Sequence, residues 1–239
     1  MDFYKTFLDL QLEDKMQSDE GKELRAVLKS KIQEGQMCLD QLTIGLKHSE
    51  SQLQIIDDHL KRNVMAVQRQ SLLIKKAAFV TVRKIWNFAT QIQLKSIECK
   101  AIQEKLYFAE TDWDKSQQSR YACNYLYEYG NNLNKMIGKD FLEMVSSLFG
   151  DEGVEEIKRL KKPISKFFDE HREKYYSVRN ETTAHRDQNS LNQIEAITSS
   201  GWSERIKELH EFEVITLPLG GFADHLIKAG ERLLSQAFK

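Results

Sequence analysis

Along residues 39–60 the apolar positions recur three and four apart: Leu39, Leu42, Leu46, Ser49, Leu53, Ile56 and Leu60. That spacing places them on one stripe of an α-helix, the seam of a coiled coil or of a long helical hairpin. The periodic stretch runs from about Leu24 to Val67, behind an amphipathic opening over Met1–Met16. A second long helix is expected over Ser71–Phe108. Its run of Phe79, Val80, Val82, Ile85, Trp86, Phe88 and Ile92 is rich in β-branched and aromatic side chains, the types that strands favour. Those positions nevertheless recur at helical spacing instead of alternating, and neither Gly nor Pro occurs between Gly45 and Gly130. Turn-rich β architectures seldom run so far without a breaker.

Thr111 and Asp114 have the spacing of a capping box, so a new helix is expected to begin there. It carries Tyr121, Tyr125 and Tyr129 on one stripe, with Tyr127 off it, the pattern of a core or an interface. Gly130-Asn131-Asn132 and Gly150-Asp151-Glu152-Gly153 read as turns. Pro163 suits the first turn of a helix whose face holds Ile164, Phe167, Phe168, Tyr175 and Val178. Ser190 with Gln193 has capping-box spacing, and Ser199-Ser200-Gly201 and Leu217-Pro218-Leu219-Gly220-Gly221 read as loops. A last helix is expected over Phe222–Phe238. The fold class is therefore all-α: a long helical hairpin region over 1–110 and a helical bundle over 111–239, or the two as one continuous domain.

Charge adds a feature that the net value of −1 conceals. Residues 1–58 carry seven basic and twelve acidic side chains, whereas residues 59–97 carry eight basic and none acidic. Two helices with complementary flanks account for this, and so does an anion-binding surface. Cys38, Cys99 and Cys123 are far apart and odd in number, which points to reduced, buried thiols and gives zinc no ligand set. No apolar run approaches the roughly 18 residues of a membrane span. The N-terminus lacks the apolar segment of a signal peptide, so the cytoplasm is the expected location.

Chemistry is concentrated in one stretch, Val178-Arg179-Asn180-Glu181-Thr182-Thr183-Ala184-His185-Arg186-Asp187. Phosphate-loop, dinucleotide-binding, zinc-protease and hydrolase-elbow motifs are absent from the sequence. A histidine with an ordinary pKa of about 6.5 can move protons both ways at cellular pH. A guanidinium can fork onto a phosphate and hold charge as it builds in a transition state. RNA brings its own nucleophile, the neighbouring 2′-hydroxyl, so this set needs no metal and no cofactor. The bare pattern Arg-x(4–6)-His occurs twice, as Arg179 with His185 and as Arg205 with His210, and the second falls inside an amphipathic helix. On one continuous helix, six positions at about 100° each leave Arg179 and His185 roughly 120° apart around the axis. The helix must end between them, as Asn180 and Thr182-Thr183 permit, or two chains must share the site.

The extended form, Arg179-Asn180-x-x-x-Ala184-His185-Arg186-Asp187 late in an all-helical chain, resembles the HEPN superfamily, especially its branches associated with abortive infection and toxin–antitoxin systems. The likeness covers about ten residues, and more loosely the helices of 111–239. It implies a bundle that dimerises with two copies of the motif facing each other, a metal-independent endoribonuclease acting on RNA, and a protein partner able to neutralise it. In that scheme Arg179 binds the phosphate, His185 is the acid/base, and Asn180 and Arg186 contact the substrate. Residues 158–186 hold nine basic against four acidic side chains, a balance that draws in an RNA strand. The competing reading is a non-enzymatic scaffold. Its partner surfaces would be the Leu39–Leu60 seam and the tyrosine stripe, with Arg179 and His185 merely decorating a helix end.

Overall fold

The computed structural model describes residues 2–12, 15–62, 65–179 and 201–239. Among them there are six helices and no strand: α1 (Phe3–Leu12), α2 (Asp19–Lys61), α3 (Ala66–Tyr107), α4 (Asp112–Met136), α5 (Lys139–Arg179) and α6 (Trp202–Ala237). The all-α class expected from periodicity is what the chain adopts. The start of α4 carries the N-cap half of the expected capping box. The Asp114 amide donates to Thr111 Oγ1 at 3.0 Å, and that hydroxyl donates to the Asp114 carboxylate at 2.6 Å.

Contacts divide the chain into two compact units. One comprises 1–35, 95–135 and 159–216; the other comprises 36–94, 136–158 and 217–239. Each draws residues from both sides of position 110.

In the second unit the Leu39–Leu60 stripe is used within the chain. Leu42, Ser49, Leu53 and Ile56 are buried, and Leu53 and Ile56 of α2 pack with Phe79 of α3, flanked by Leu72, Val80 and Leu234. The β-branched run of α3 buries Phe79, Val82, Ile85, Phe88 and Ile92 while remaining helical. Phe88 stacks on Phe141 and Phe149 meets Phe222. One ion pair, Lys76 to Asp57 at 2.5 Å, joins the basic stretch of α3 to the acidic one of α2.

In the first unit α1 buries Phe7 and Leu10, and Phe7 stacks on Tyr107 at 4.3 Å. Leu24 and Leu28 of α2, Cys99 and Leu106 of α3, Tyr125 and Tyr129 of α4, Phe167 and Phe168 of α5, and Leu209 and Phe212 of α6 complete the core. Two of the three tyrosines on the α4 stripe are thus core residues, and Tyr121 is exposed.

Four sequence expectations are corrected. Gly130-Asn131-Asn132 is not a turn but lies inside α4, because a β-carbon at Gly130 would come within 2.1 Å of the Phe168 ring; the glycine serves close packing. Pro163 is interior to α5, and Leu217-Pro218-Leu219-Gly220-Gly221 is helical within α6. Both prolines are exposed, as are Arg159 and Val214 four residues earlier, so the carbonyls deprived of a partner are left to water. Finally, Cys99 and Cys123 are buried but Cys38 is exposed. The turn expected at Gly150 is present as a kink, with φ 68° and ψ −160°.

Candidate functional site

Arg179 occupies the last described turn of α5. Its guanidinium lies over the Tyr127 ring, 5.5 Å from the centroid, and Nε is 2.9 Å from Glu128 Oε1. Tyr127 in turn packs against Phe168 and Tyr176. Aromatic rings from α4 and α5 therefore lie on one side of the guanidinium while a carboxylate meets its Nε. The side chain is 33% exposed, so solvent and solutes reach it. Asn180, His185 and Arg186, with the expected cap at Ser190 and Gln193, lie outside the described residues.

Glu128 belongs to two features. It pairs with Arg179, and it also lines a groove of about 510 Å³ between α3 and α4. From α4 the groove takes Gln118, Tyr121, Asn124 and Glu128, positions that recur along one helix face. From α3 it takes a matching face that begins at Lys95. The buried Tyr125 hydroxyl donates to the Lys95 carbonyl at 2.8 Å and so sets how closely the two helices approach.

Beneath Arg179, one to two turns back along α5, is a cluster of charges that sequence reasoning missed. Arg205 looked like part of an amphipathic face, yet its side chain is only 1% exposed. It is ion-paired through Nη1 with Glu208, through Nη2 with Glu204 at 3.0 Å, and it lies over the Tyr175 ring. Tyr175 donates to Glu208 Oε2 at 2.9 Å, and Lys174 bridges Glu204 (2.7 Å) and Glu208 (3.3 Å). Two cations and two carboxylates balance. Lys174 holds the Glu204 carboxyl below the usual range, against the opposing effect of burial.

The cluster ties the last turns of α5 to the first turns of α6, and this fixes where Arg179 emerges. The only legible signal was the pairing of Arg205 with Glu204 and Glu208, one and three positions away. Such neighbours are equally common on exposed helix faces.

His171 sits between aromatic rings: Phe167 at 4.5 Å and Tyr175 at 5.7 Å. Its Nδ1 is 2.8 Å from the Phe167 carbonyl, which can only accept, so Nδ1 carries the proton. Nε2 faces Glu208 Oε1 at 3.8 Å. The Arg205–His210 pair does not converge on a site. Arg205 is interior, whereas His210 stacks on Tyr4 at 5.2 Å. Cys123, beside Arg205 Nη1 at 3.7 Å, has its thiol pushed up to about 11 by burial despite the guanidinium, which disfavours the thiolate.

No described helix is long and apolar enough to cross a membrane. No protein-family model, curated protein or solved structure matches the chain.

Proposed function

We propose that the protein is a metal-independent endoribonuclease in which Arg179 binds the scissile phosphate and His185 transfers protons. The observation that carries this reading is the setting of Arg179. The arginine at the head of the motif is accessible, oriented by Tyr127, and already paired with an anionic group, Glu128. A guanidinium so placed can donate to a phosphate oxygen where it now meets the Glu128 carboxylate.

His185 would take the proton of the 2′-hydroxyl as that oxygen attacks phosphorus. A second proton, from the partner chain's motif or from water, would go to the departing 5′-oxygen. The products would be a 2′,3′-cyclic phosphate and a free 5′-hydroxyl. Asn180 and Arg186 would hold the neighbouring phosphate or sugar. A homodimer would bring two motifs together, one of the two arrangements open to Arg179 and His185, which lie on different faces of any continuous helix. Action as a toxin or defence effector, in the cytoplasm and under a neutralising protein, belongs to the same proposal.

Leu42, Leu53 and Ile56 are buried within the chain, which leaves less of the Leu39–Leu60 seam for a partner than the scaffold reading asks for. The test is cleavage of a mixed RNA pool by wild type, Arg179→Ala and His185→Ala at matched folding. Loss of at least about a hundredfold in rate for each variant is expected, the range for removing a proton-transfer group or a charge-stabilising donor. Equal rates in all three would overturn the proposal.

A further inference from the structure

We infer that the groove between α3 and α4 is a nucleobase site: it takes the base of a ribonucleotide beside the phosphate held by Arg179, stacked on Tyr121 and read at its edge by Gln118 and Asn124. This rests on the reading of Arg179 given above for the polarity of the strand, but the groove's own chemistry selects the ligand class.

Charge comes first. Lys95 is paired with Glu98 at 2.5 Å, and Glu128 with Arg179 at 2.9 Å, so the ionic groups at the Arg179 end are mutually compensated. The remaining charge, Lys105, lies about ten residues along α3, roughly 15 Å from Lys95 at 1.5 Å per residue. Between these ends the groove is uncharged. It suits a neutral group flanked by phosphates, one at Arg179 and one at Lys105. That separation exceeds the step between adjacent phosphates, so it is the layout of a strand of more than one nucleotide.

Shape comes second. Tyr121 is 56% exposed, although its stripe-mates Tyr125 and Tyr129 are buried. An aromatic ring kept at the surface along the wall of a groove offers a flat face to a flat ligand. Ile102 on α3 also lines the groove and closes it with apolar surface. The volume of about 510 Å³ falls in the range of small-ligand sites and accommodates a nucleoside.

Hydrogen-bonding capacity comes third. Gln118 and Asn124 are half-buried, line the groove, and make no side-chain hydrogen bond among the described residues. Each carboxamide offers donors and an acceptor at once, the combination that pairs with the edge of an unstacked base.

The test uses fluorescein-labelled 2′-O-methyl oligoribonucleotides of each single base, which lack the attacking hydroxyl and so separate binding from cleavage. Fluorescence anisotropy with the full chain should show binding that weakens about tenfold in Tyr121→Ala, the expected loss of one stacking contact. Tyr121→Phe should restore it. Gln118→Ala or Asn124→Ala should change the order of preference among the four bases. Tyr121 is exposed, so its truncation leaves the core intact. Wild-type-like binding by both Tyr121→Ala and Gln118→Ala, or no binding of any oligonucleotide by wild type, overturns the inference. The two proposals fail separately. RNA cleavage with Tyr121-independent binding leaves the ribonuclease and removes the groove, and Tyr121-dependent binding without cleavage does the reverse.

Discussion

The pair formed by Glu128 and Arg179 sets the resting state of the site. At 2.9 Å, with both side chains a third or more exposed, it is a solvent-screened ion pair worth about 0.2–1 kcal/mol. A phosphate reaching Arg179 must displace that carboxylate, so Glu128→Gln is expected to tighten binding of a 2′-O-methyl oligonucleotide about two- to fivefold, with little change in stability. Unchanged or weaker binding by anisotropy would show that Arg179 does not meet the phosphate.

A second residue-scale expectation concerns buried phenols. Burial, reinforced for Tyr107 by Glu213 and for Tyr175 by Glu208, raises Tyr107, Tyr125, Tyr129 and Tyr175 above the ordinary tyrosine range. The unfolded chain releases these protons near pH 10 while the folded chain retains them. Their contribution to stability is therefore complete below about pH 10 and is lost as pH rises beyond it. Absorbance at the tyrosinate band should show these four ionising together with loss of helical circular dichroism. Reversible ionisation of all eight tyrosines with the helices intact would contradict this.

Among the elements, α4 depends on a glycine that the sequence presents as a turn. Gly130→Ala forces the Phe168 ring to move, and overpacking of this kind costs about 1–3 kcal/mol. Denaturant unfolding of the variant measures it, and an unchanged midpoint would mean the ring yields freely.

The contrast shows what was legible. Periodic apolar spacing and the long stretch without Gly or Pro defined α2 and α3, and the cap at Thr111 defined the start of α4. These are local features, and local sequence carries them. Gly130, Pro163 and Pro218 were misread because their meaning depends on what lies opposite. Gly130 faces a ring from another helix, and each proline points its lost hydrogen bond at water. The site was half legible. The Arg179 motif stands out in the chain, whereas the Glu128 partner, the Tyr127 platform and the groove arise only when α4 packs on α3 and α5.

For the molecule as a whole, the Arg205–Glu208 core is the costliest element to disturb, because one partner without the other is an uncompensated buried charge. Arg205→Met is expected to lose about 3–5 kcal/mol, and Arg205→Met with Glu208→Met together to lose less, as read from thermal or denaturant unfolding. Equal losses would mean that packing, and not charge balance, is what the cluster provides. The cluster also joins the helix ends that flank residues 180–200, so under the proposed function such variants are expected to lose activity through position as well as stability. The proposed ribonuclease chemistry is read most directly from the end structure of RNA fragments produced in excess chelator. Wild type is expected to leave 2′,3′-cyclic phosphate and 5′-hydroxyl termini, and His185→Ala none. Fragments ending in 5′-phosphate, or cleavage that persists in His185→Ala, would contradict it.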